Sequence, residues 1–234
     1  MNSAFRTHQG KVRKNNQDSL LALPGAYPLY AVADGMGGHR GGNVASAMAV
    51  ESLSTLDVSV VPDQAVLEAA VLLANSRIFE RQLHDFSLSG MGTTLTALWE
   101  GDDFLLVAHV GDSRAYRYRD GILTQATTDH SLVGELLRSG AITAEMARNY
   151  PYRNIVTRAV GTEQSLLCEI YQMDKKNQDR WLLCSDGLTE YANYSELIHA
   201  MGLPLEEAAD ILLNIALDGG GRDNITLILL EVTA

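Results

Sequence analysis

Apolar runs of strand length alternate with turn residues along this chain, and longer segments with helical periodicity are inserted between them. The pattern predicts a mixed α and β fold. Buried strands are predicted over residues 30–33 and 181–185, and an Asp-Gly pair follows or ends each of them. Further strands are predicted over residues 93–99, 104–110, 115–118 and 225–232. We expect the first three of these to form hairpins joined into a meander.

Helical periodicity is present over residues 43–56, 64–84 and 205–217, and glycines 219–221 should end the last helix. A shorter helical patch over residues 131–148 interrupts the strands and is interpreted as a surface insertion. The chain contains no internal repeat, low-complexity tract or linker. We therefore expect residues 1–234 to form a single domain.

Composition narrows the class of protein. A chain of 234 residues that is 46% hydrophobic can bury a sizeable core. It lacks the run of ~18 apolar residues that a membrane span needs, and its start does not resemble a secretory signal, so we expect a cytoplasmic protein without a membrane partner. We also expect a monomer. The net charge of -11 argues against a nucleic-acid partner. Cys168 and Cys184 form no C-x-x-C pair and are interpreted as buried free thiols.

Aspartates at strand ends and turns are the candidate chemical groups; they are Asp18, Asp34, Asp112, Asp186 and Asp223. Each alone is equally well explained as a turn residue. If the strands that precede Asp34 and Asp186 are neighbours, however, their carboxylates converge, and they raise each other's pKa unless a cation neutralises them. An oxygen-only cluster suits magnesium or manganese rather than zinc. The hypothesis is a site for two metal ions that share and activate a water molecule.

Two other phosphate chemistries are excluded by the residues at the required positions. Gly37 and Gly42 have the spacing of a nucleotide-binding loop, but Asn43 and Val44 replace its Lys-Ser/Thr pair. A cysteine-dependent phosphatase needs an arginine downstream of its nucleophile. Asp174 and Glu190 take that place after the two cysteines.

A set of motifs in a fixed order resembles the PPM family, the type 2C metal-dependent serine/threonine phosphatases, in the compact form found in bacteria. The resemblance extends from about residue 6 to the C-terminus. The motifs are RKNNQD at 13–18, VADGMGGH at 32–39, GMGTT at 90–94, VGDSR at 110–114, TDHS at 128–131, CSDGL at 184–188 and GRDN at 221–224. It implies a four-layer α-β-β-α sandwich of two antiparallel sheets flanked by helices, with two Mn²⁺ or Mg²⁺ ions at one end.

The resemblance also assigns ligands to these metals. It implies that Asp34 bridges both ions, that Asp186 and Asp223 hold the first ion, and that the carbonyl of Gly35 binds the second. The metal-site residues implied in all are Asp18, Asp34, Gly35, Asp112, Asp186 and Asp223. Asp18 would act on the second ion through water, and Asp112 is associated with a weaker third ion. The family usually has Glu where this chain has Gln17.

Two further residues receive catalytic roles through the resemblance. Arg13 matches the arginine that grips the substrate phosphate, and a guanidinium suits that role because its planar fork can bind two phosphate oxygens. His39 matches a histidine proposed as general acid. Without the motifs, a solvated charge and a polar loop residue would explain them equally well. Residues 131–158 correspond to the family's flap, and Thr93 and Thr94 are interpreted as packing residues.

The expected reaction is direct hydrolysis of phosphoserine and phosphothreonine in proteins, opposing a bacterial serine/threonine kinase, without a covalent phosphoenzyme. Two alternatives remain open. One is a catalytically weak regulatory module that keeps the fold. The other is a two-metal hydrolase of another phosphoester. All three core aspartates are present, which disfavours the first, and the acidic charge disfavours a nucleic-acid substrate.

Overall fold

The computed structural model describes residues 1–148, 150–152 and 154–233; the side chains of residues 38–40, 144 and 148 lie outside this description. The strands are β1 (Asn2–His8), β2 (Asp18–Leu23), β3 (Leu29–Met36), β4 (Gly92–Thr93), β5 (Leu95–Glu100), β6 (Phe104–Val110), β7 (Arg114–Arg119), β8 (Ile122–Gln125), β9 (Glu169–Asp174), β10 (Arg180–Cys184) and β11 (Ile225–Glu231). The helices are α1 (Gly38–Ser54), α2 (Gln64–His84), α3 (Leu132–Arg138), α4 (Ala144–Arg148), α5 (Asp186–Thr189), α6 (Tyr194–Met201) and α7 (Leu205–Asp218). A single 3-10 turn, Phe86–Leu88, follows α2.

Two antiparallel sheets form the centre of the molecule. The first has the order β1-β11-β10-β7-β8, and the second has the order β2-β3-β5-β6-β9, with β4 paired to the end of β3. Helices α1 and α2 pack on the second sheet, while α5, α6 and α7 pack on the first. The predicted sandwich of two antiparallel sheets between helices is confirmed.

Strand β3 shows how the layers are built from the alternation of side chains. Tyr30 and Val32 lie in the core between the two sheets, where they meet Trp181 and Leu183 of β10. Leu29 and its alternate neighbours point the other way, into the core beneath α1 and α2, because successive residues of a strand face opposite sides. A fully apolar run is therefore required, since both faces of this strand are buried.

The helices follow the periodicity expected from the sequence, with differences at their ends. Helix α2 spans the predicted residues, and its first turn is capped by the Asp63 side chain, which accepts a hydrogen bond from the Val66 N–H. Helix α7 ends at Asp218, and the next glycines include Gly220 at φ 139°, which an L-residue rarely adopts. Helix α1 begins earlier than predicted, at Gly38.

The predicted meander is wrong, whereas the predicted helical patch over residues 131–148 is present in two parts. Strands β5 and β6 form a hairpin, but β7 belongs to the other sheet, so there is no meander. The turn after β6 crosses between the sheets at Gly111, whose φ of 107° and contact with Thr94 leave no room for a Cβ. The helical patch over residues 131–148 is two short helices, α3 and α4, separated at Gly140 with φ 73°.

Candidate metal centre and substrate cavity

Asp34 lies near the end of β3, where the pairing changes from β5 to β4, and both backbone groups of Asp34 are hydrogen-bonded. In the register of β2 and β3 it stands opposite Asp18. Its N–H donates to Thr94 Oγ1 over 2.9 Å, and its carbonyl accepts from the Thr94 N–H at 2.8 Å and from Thr93 Oγ1 at 2.9 Å. The break between β4 and β5 at Thr94 therefore positions Asp34.

Asp186 follows β10 and begins α5, directly after Ser185. The Ser185 hydroxyl donates to Asp18 Oδ2 at 2.9 Å and accepts from the Thr226 N–H at 3.0 Å. The condition set from the sequence, that the strands preceding Asp34 and Asp186 are neighbours, is not met, because β3 and β10 lie in different sheets. The aspartates instead meet across the sandwich, since these sheets pack face to face.

One cavity of about 660 Å³ collects most of the predicted site residues. Its lining includes Arg13, Asp34, Gly35, Asp112, Asp186 and Asp223. Asp112 comes from the turn between β6 and β7, and Asp223 comes from the loop before β11. Gly35 of β3 lies so close to Gly42 of α1 that a Cβ on Gly35 would collide with the Gly42 carbonyl. Glycine at these positions therefore lets the strand and helix backbones approach each other beside the cavity. Asp18 lies behind the cavity, hydrogen-bonded to Ser185.

The electrostatics of this cluster are those of carboxylates that lack enough positive partners. Burial raises the pKa of Asp18 and of Asp112 to about 7 and that of Asp186 to about 6, and neighbouring carboxylates add to each shift. Burial also raises the pKa of Asp34 well above its ordinary value, with further contributions from the charges of Asp18 and Asp186. Withdrawal from water and mutual repulsion both disfavour the ionised forms.

The same carboxylates fit divalent cations. Oδ1 of Asp18 and Oδ1 of Asp186 are buried and have no hydrogen-bond partner within the part of the chain described here. Buried polar atoms of this kind are rare in proteins and call for an explanation such as an ion. The donors are all oxygens, which suit magnesium or manganese. Among the described residues, however, no group of three or more Asp, Glu, His or Cys side chains is already arranged to coordinate a metal ion.

Arg13 lies at the rim of the cavity and is paired with Asp223. Its Nη2 donates to Asp223 Oδ2 at 2.6 Å, and 52% of its side chain is exposed. The hydrogen bond to Asp223 is the main reason that the pKa of Arg13 is raised. The structure thus brings Arg13 to the aspartates, but its guanidinium is bound to Asp223, one of the expected metal ligands, and does not point freely into the cavity.

His39 belongs to the first turn of α1, which begins at Gly38. Its side chain lies outside the described residues, and its role as an acid stays a prediction.

Three positioning residues were missed from the sequence. Thr94, interpreted there as packing, binds both backbone groups of Asp34. Ser185 connects Asp18 to β11. Asn224 donates from Nδ2 to the carbonyls of Gln9 and Asn15, and its Oδ1 accepts from the Gln17 N–H at 2.8 Å. The only sequence signal for these roles is that each residue is adjacent to, or within, a motif that carries an aspartate.

A cluster of buried aspartates with an arginine at its rim, set at one end of an α-β-β-α sandwich, defines the class as a metal-dependent phosphatase. The family model described as Protein phosphatase 2C matches residues 7–212. The chain therefore belongs to the protein phosphatase 2C family, as the motifs indicated.

Similar proteins agree with this assignment. The serine/threonine phosphatase Stp of Listeria monocytogenes is 39% identical over 241 residues, which cover 99% of this chain and 96% of that protein. The crystal structure of Mycobacterium tuberculosis PstP has a TM-score of 0.94 at 38% identity and covers 100% of this chain and 99% of that one. A second structure, the PstP catalytic domain in complex with two manganese ions, has a TM-score of 0.91 at 38% identity, with 100% and 98% covered.

These comparisons confirm that the protein is a metal-dependent serine/threonine protein phosphatase of bacterial type. None of the helices in the described residues is both long enough and apolar enough to cross a membrane.

Proposed function

We propose that this protein hydrolyses phosphoserine and phosphothreonine in other proteins and uses two Mn²⁺ or Mg²⁺ ions for the reaction. The observation that carries the proposal is the set of buried aspartates with raised pKa around one cavity. Its support from relatives is the PstP catalytic domain, which is in complex with two manganese ions.

The proposed ligand assignment follows the family motifs. Asp34 would bridge both ions, Asp186 and Asp223 would hold the first, and Gly35 would offer its carbonyl to the second. Asp18 would act on the second ion through water, and Asp112 would hold a weaker third. The proximity of these carboxylates supports a shared site, because the charges of Asp18, Asp186, Asp112 and Asp223 all raise the pKa of Asp34.

The chain's own residues orient the substrate. When bound, the two cations would supply Lewis acidity and an activated water for in-line attack on phosphorus. Arg13 can bind two phosphate oxygens in a fork and turn the ester bond away from the incoming water. Arg13 is held by Asp223 through Nη2 alone, and it would be free to contact the phosphate where Asp223 serves as a metal ligand.

We also propose that His39 donates a proton to the leaving serine or threonine oxygen. A general acid contributes about 10²–10⁴-fold when the leaving group is a poor anion. His39→Ala should therefore slow phosphopeptide hydrolysis far more than that of nitrophenyl phosphate, whose leaving group is already stable. Equal losses of kcat at saturating manganese would remove His39 from the mechanism.

Several expectations about the whole protein stay predictions. We propose that residues 1–234 act as one catalytic domain with a flap at 131–158, and that the phosphatase opposes a serine/threonine kinase. The single domain is supported by the packing, because the hydrophobic core between the two sheets shares its strands with the two cores under the helices. We also propose a monomer in the cytoplasm without nucleic-acid or membrane partners; the net charge and the lack of an apolar span in the sequence support the absence of these partners.

The deciding experiment measures phosphate release from phosphoserine and phosphothreonine peptides at varied Mn²⁺ and Mg²⁺. We expect turnover only when one of these ions is present, and its return when the ion is restored after chelation. A panel with nucleotides and phosphosugars tests the alternative phosphoester substrates. Full turnover after exhaustive chelation, or a preference for those small esters, would refute the proposal. Metal binding without turnover would instead favour the regulatory module.

A further inference from the structure

A buried histidine outside the carboxylate cluster joins the Asp112 turn to the flap. His130 is 2% exposed and makes a reciprocal pair of hydrogen bonds with Gly111. Its N–H donates to the Gly111 carbonyl at 2.7 Å, and its Nδ1 accepts from the Gly111 N–H at 3.0 Å. Its own carbonyl accepts from the Thr157 N–H at 2.9 Å. One residue thus connects three segments of the chain.

These segments are functionally distinct. Gly111 immediately precedes Asp112, so the hydrogen bonds of Gly111 set the direction in which Asp112 leaves β6. Directly after His130, Ser131 forms a bridge with Val156, and the Leu132 N–H donates to the Ile155 carbonyl at 2.9 Å. Ile155 and Val156 line the cavity that contains the aspartates. His130 therefore lies between an aspartate of the cluster and the flap wall of the cavity.

The hydrogen bonds determine the tautomer of the His130 ring. A backbone N–H can only donate, so Nδ1 must be an unprotonated acceptor. The proton of a neutral ring is then on Nε2, from where it is donated to Glu169 Oε1 at 3.1 Å. The Arg158 guanidinium lies 3.0 Å from the same Nε2 and also approaches Glu169. Because Nε2 already carries a proton, Arg158 is a neighbour of Glu169 rather than a donor to the ring.

The surroundings keep the ring in this neutral form. Burial lowers the pKa of His130, and the Arg158 charge lowers it further, while the hydrogen bond with Glu169 partly opposes both. The His109 ring packs against it with centroids 4.8 Å apart, and burial lowers the pKa of His109 to about 4. Nδ1 is consequently available as an acceptor for Gly111 throughout the neutral range.

We propose that His130 is a positioning residue for peptide substrates, which holds the flap wall at Ile155 and Val156 in a fixed place relative to Asp112. It does so through its Nδ1, which accepts from Gly111, and through its own backbone N–H and carbonyl, which bind Gly111 and Thr157. The inference deepens the proposed phosphatase function and rests on it, since it takes this cavity as the place where the phosphopeptide binds. A small substrate that does not reach the flap wall should be insensitive to it.

Two substitutions separate this role from general packing. The amide of His130→Asn is attached at the same carbon as Nδ1 and can offer its oxygen to Gly111, whereas the amide of His130→Gln extends to the position of Nε2. We expect His130→Gln to raise KM for a phosphopeptide about tenfold, because the Gly111 N–H loses its acceptor and the flap wall is no longer fixed where the peptide binds, with little change in kcat for nitrophenyl phosphate. His130→Asn should restore most of the phosphopeptide KM. Glu169→Gln, which keeps an acceptor for Nε2–H, is the matched control and should resemble the wild type.

The double variant of Asp112→Ala with His130→Gln tests the connection to Asp112. If His130 acts through that turn, its effect on KM should be smaller when Asp112 is already absent, because contacting groups are not additive. Melting temperatures of all variants separate misfolding from repositioning. Equal KM values for His130→Gln and His130→Asn, or equal losses on both substrates, would overturn the proposal.

A measurement on the wild-type protein tests the inference even where His130→Gln does not fold. Ring nitrogen shifts should show the Nε2–H tautomer, and the Gly111 amide should exchange as slowly as the amides of β6. A Gly111 amide that exchanges like those of an exposed turn would contradict the proposal. The phosphopeptide assay of the wild type is read first: no metal-dependent turnover there refutes the proposed function, while turnover with identical His130 variants refutes only this inference.

Discussion

Carboxylates cluster at both ends of the sandwich, but their pKa values are shifted in opposite directions at the two ends. The register of β6 with β9 pairs His109 with Glu169 towards the cavity and Phe104 with Asp174 at the far end. At that far end, Asp174 binds Arg117 and Arg119, and Asp179 binds Arg119. The hydrogen bond from Arg119 lowers the pKa of Asp174. At the cavity, burial and mutual repulsion raise the pKa of the aspartates instead.

The difference separates carboxylates that the protein neutralises itself from carboxylates that it leaves without enough positive partners. The far end supplies arginines from the chain itself, in a network that spans both sheets. At the cavity end, Arg13 comes from an exposed loop and pairs with Asp223, one aspartate of the cluster. Charges left uncompensated by the protein disfavour the folded state, so this end depends on cations from solution.

The largest expected effect comes from substituting one carboxylate at each end. Asp34→Asn removes the carboxylate that interacts with every other aspartate of the cluster. Turnover should fall by about 10³-fold or more, since a metal ion lowers the activation free energy by several kcal/mol and each 1.4 kcal/mol is tenfold in rate. Steady-state kinetics with phosphopeptide and Mn²⁺ provide the measurement. Without metal, the melting temperature of this variant should equal or exceed that of the wild type, because a buried repulsion is lost.

The matched variant is Asp179→Asn, at the far end. Its side chain is 1% exposed and binds Arg119, so the free energy of unfolding should fall by about 1–3 kcal/mol while kcat stays unchanged. The comparison fails if Asp34→Asn keeps normal turnover or if Asp179→Asn abolishes it.

The raised pKa values predict a pH dependence that belongs to the cavity end. Asp18, Asp112 and Asp186 have folded pKa values of about 6 to 7, above the ordinary value of 3.8. Such groups stabilise the metal-free protein below about pH 4, and this contribution is lost as the pH rises through 6 to 7. Metal ions must displace these protons, so Mn²⁺ affinity should rise by up to about tenfold per pH unit for each proton released.

Calorimetric titration of chelated protein with Mn²⁺ from pH 5 to pH 8 measures this dependence directly. Melting curves with and without metal should diverge as the pH rises. An Mn²⁺ affinity that is flat across this range would show that the aspartates are ionised before metal arrives, and the contrast between the two ends would then be unfounded.

A smaller effect is expected for Asp112, at the edge of the cluster. Asp112→Ala should leave the ligands of the two main ions intact, so kcat should fall by only about tenfold and by an amount that depends on the substrate. Two bound manganese ions should still be counted by elemental analysis of the variant. Loss of both ions would place Asp112 among the principal ligands.

The smallest effect concerns Gln17, at the position where the motif resemblance implies a glutamate. Gln17 lines the cavity, so Gln17→Glu would add one more negative charge to the end that already has too many. We expect Mn²⁺ to bind a few-fold more tightly, about 0.5–1 kcal/mol, and the metal-free protein to melt slightly earlier. Unchanged values for both would indicate that the added carboxylate points into solvent.

Much of the fold follows from local patterns. Helix α2 has the predicted bounds because its periodicity and the cap at Asp63 both operate within a few residues. The apolar run before Asp34 is equally local evidence for a strand, although β3 continues past Asp34 to Met36, where it pairs with β4. The order of the motifs identifies the family because each motif is a short string that the sequence states directly.

The sequence by itself therefore determined the family, the main helices and the aspartates that the structure gathers at the cavity. Only the tertiary structure decided which sheet β7 joins, that Asp34 and Asp186 meet across the sandwich rather than along one sheet edge, and that Arg13 pairs with Asp223. It also decided that Thr94 and His130 hold the backbone around the aspartates. The physical reason is that a fully apolar strand must be buried on both faces, but any apolar surface satisfies that requirement, so the strand's own residues do not select its neighbours.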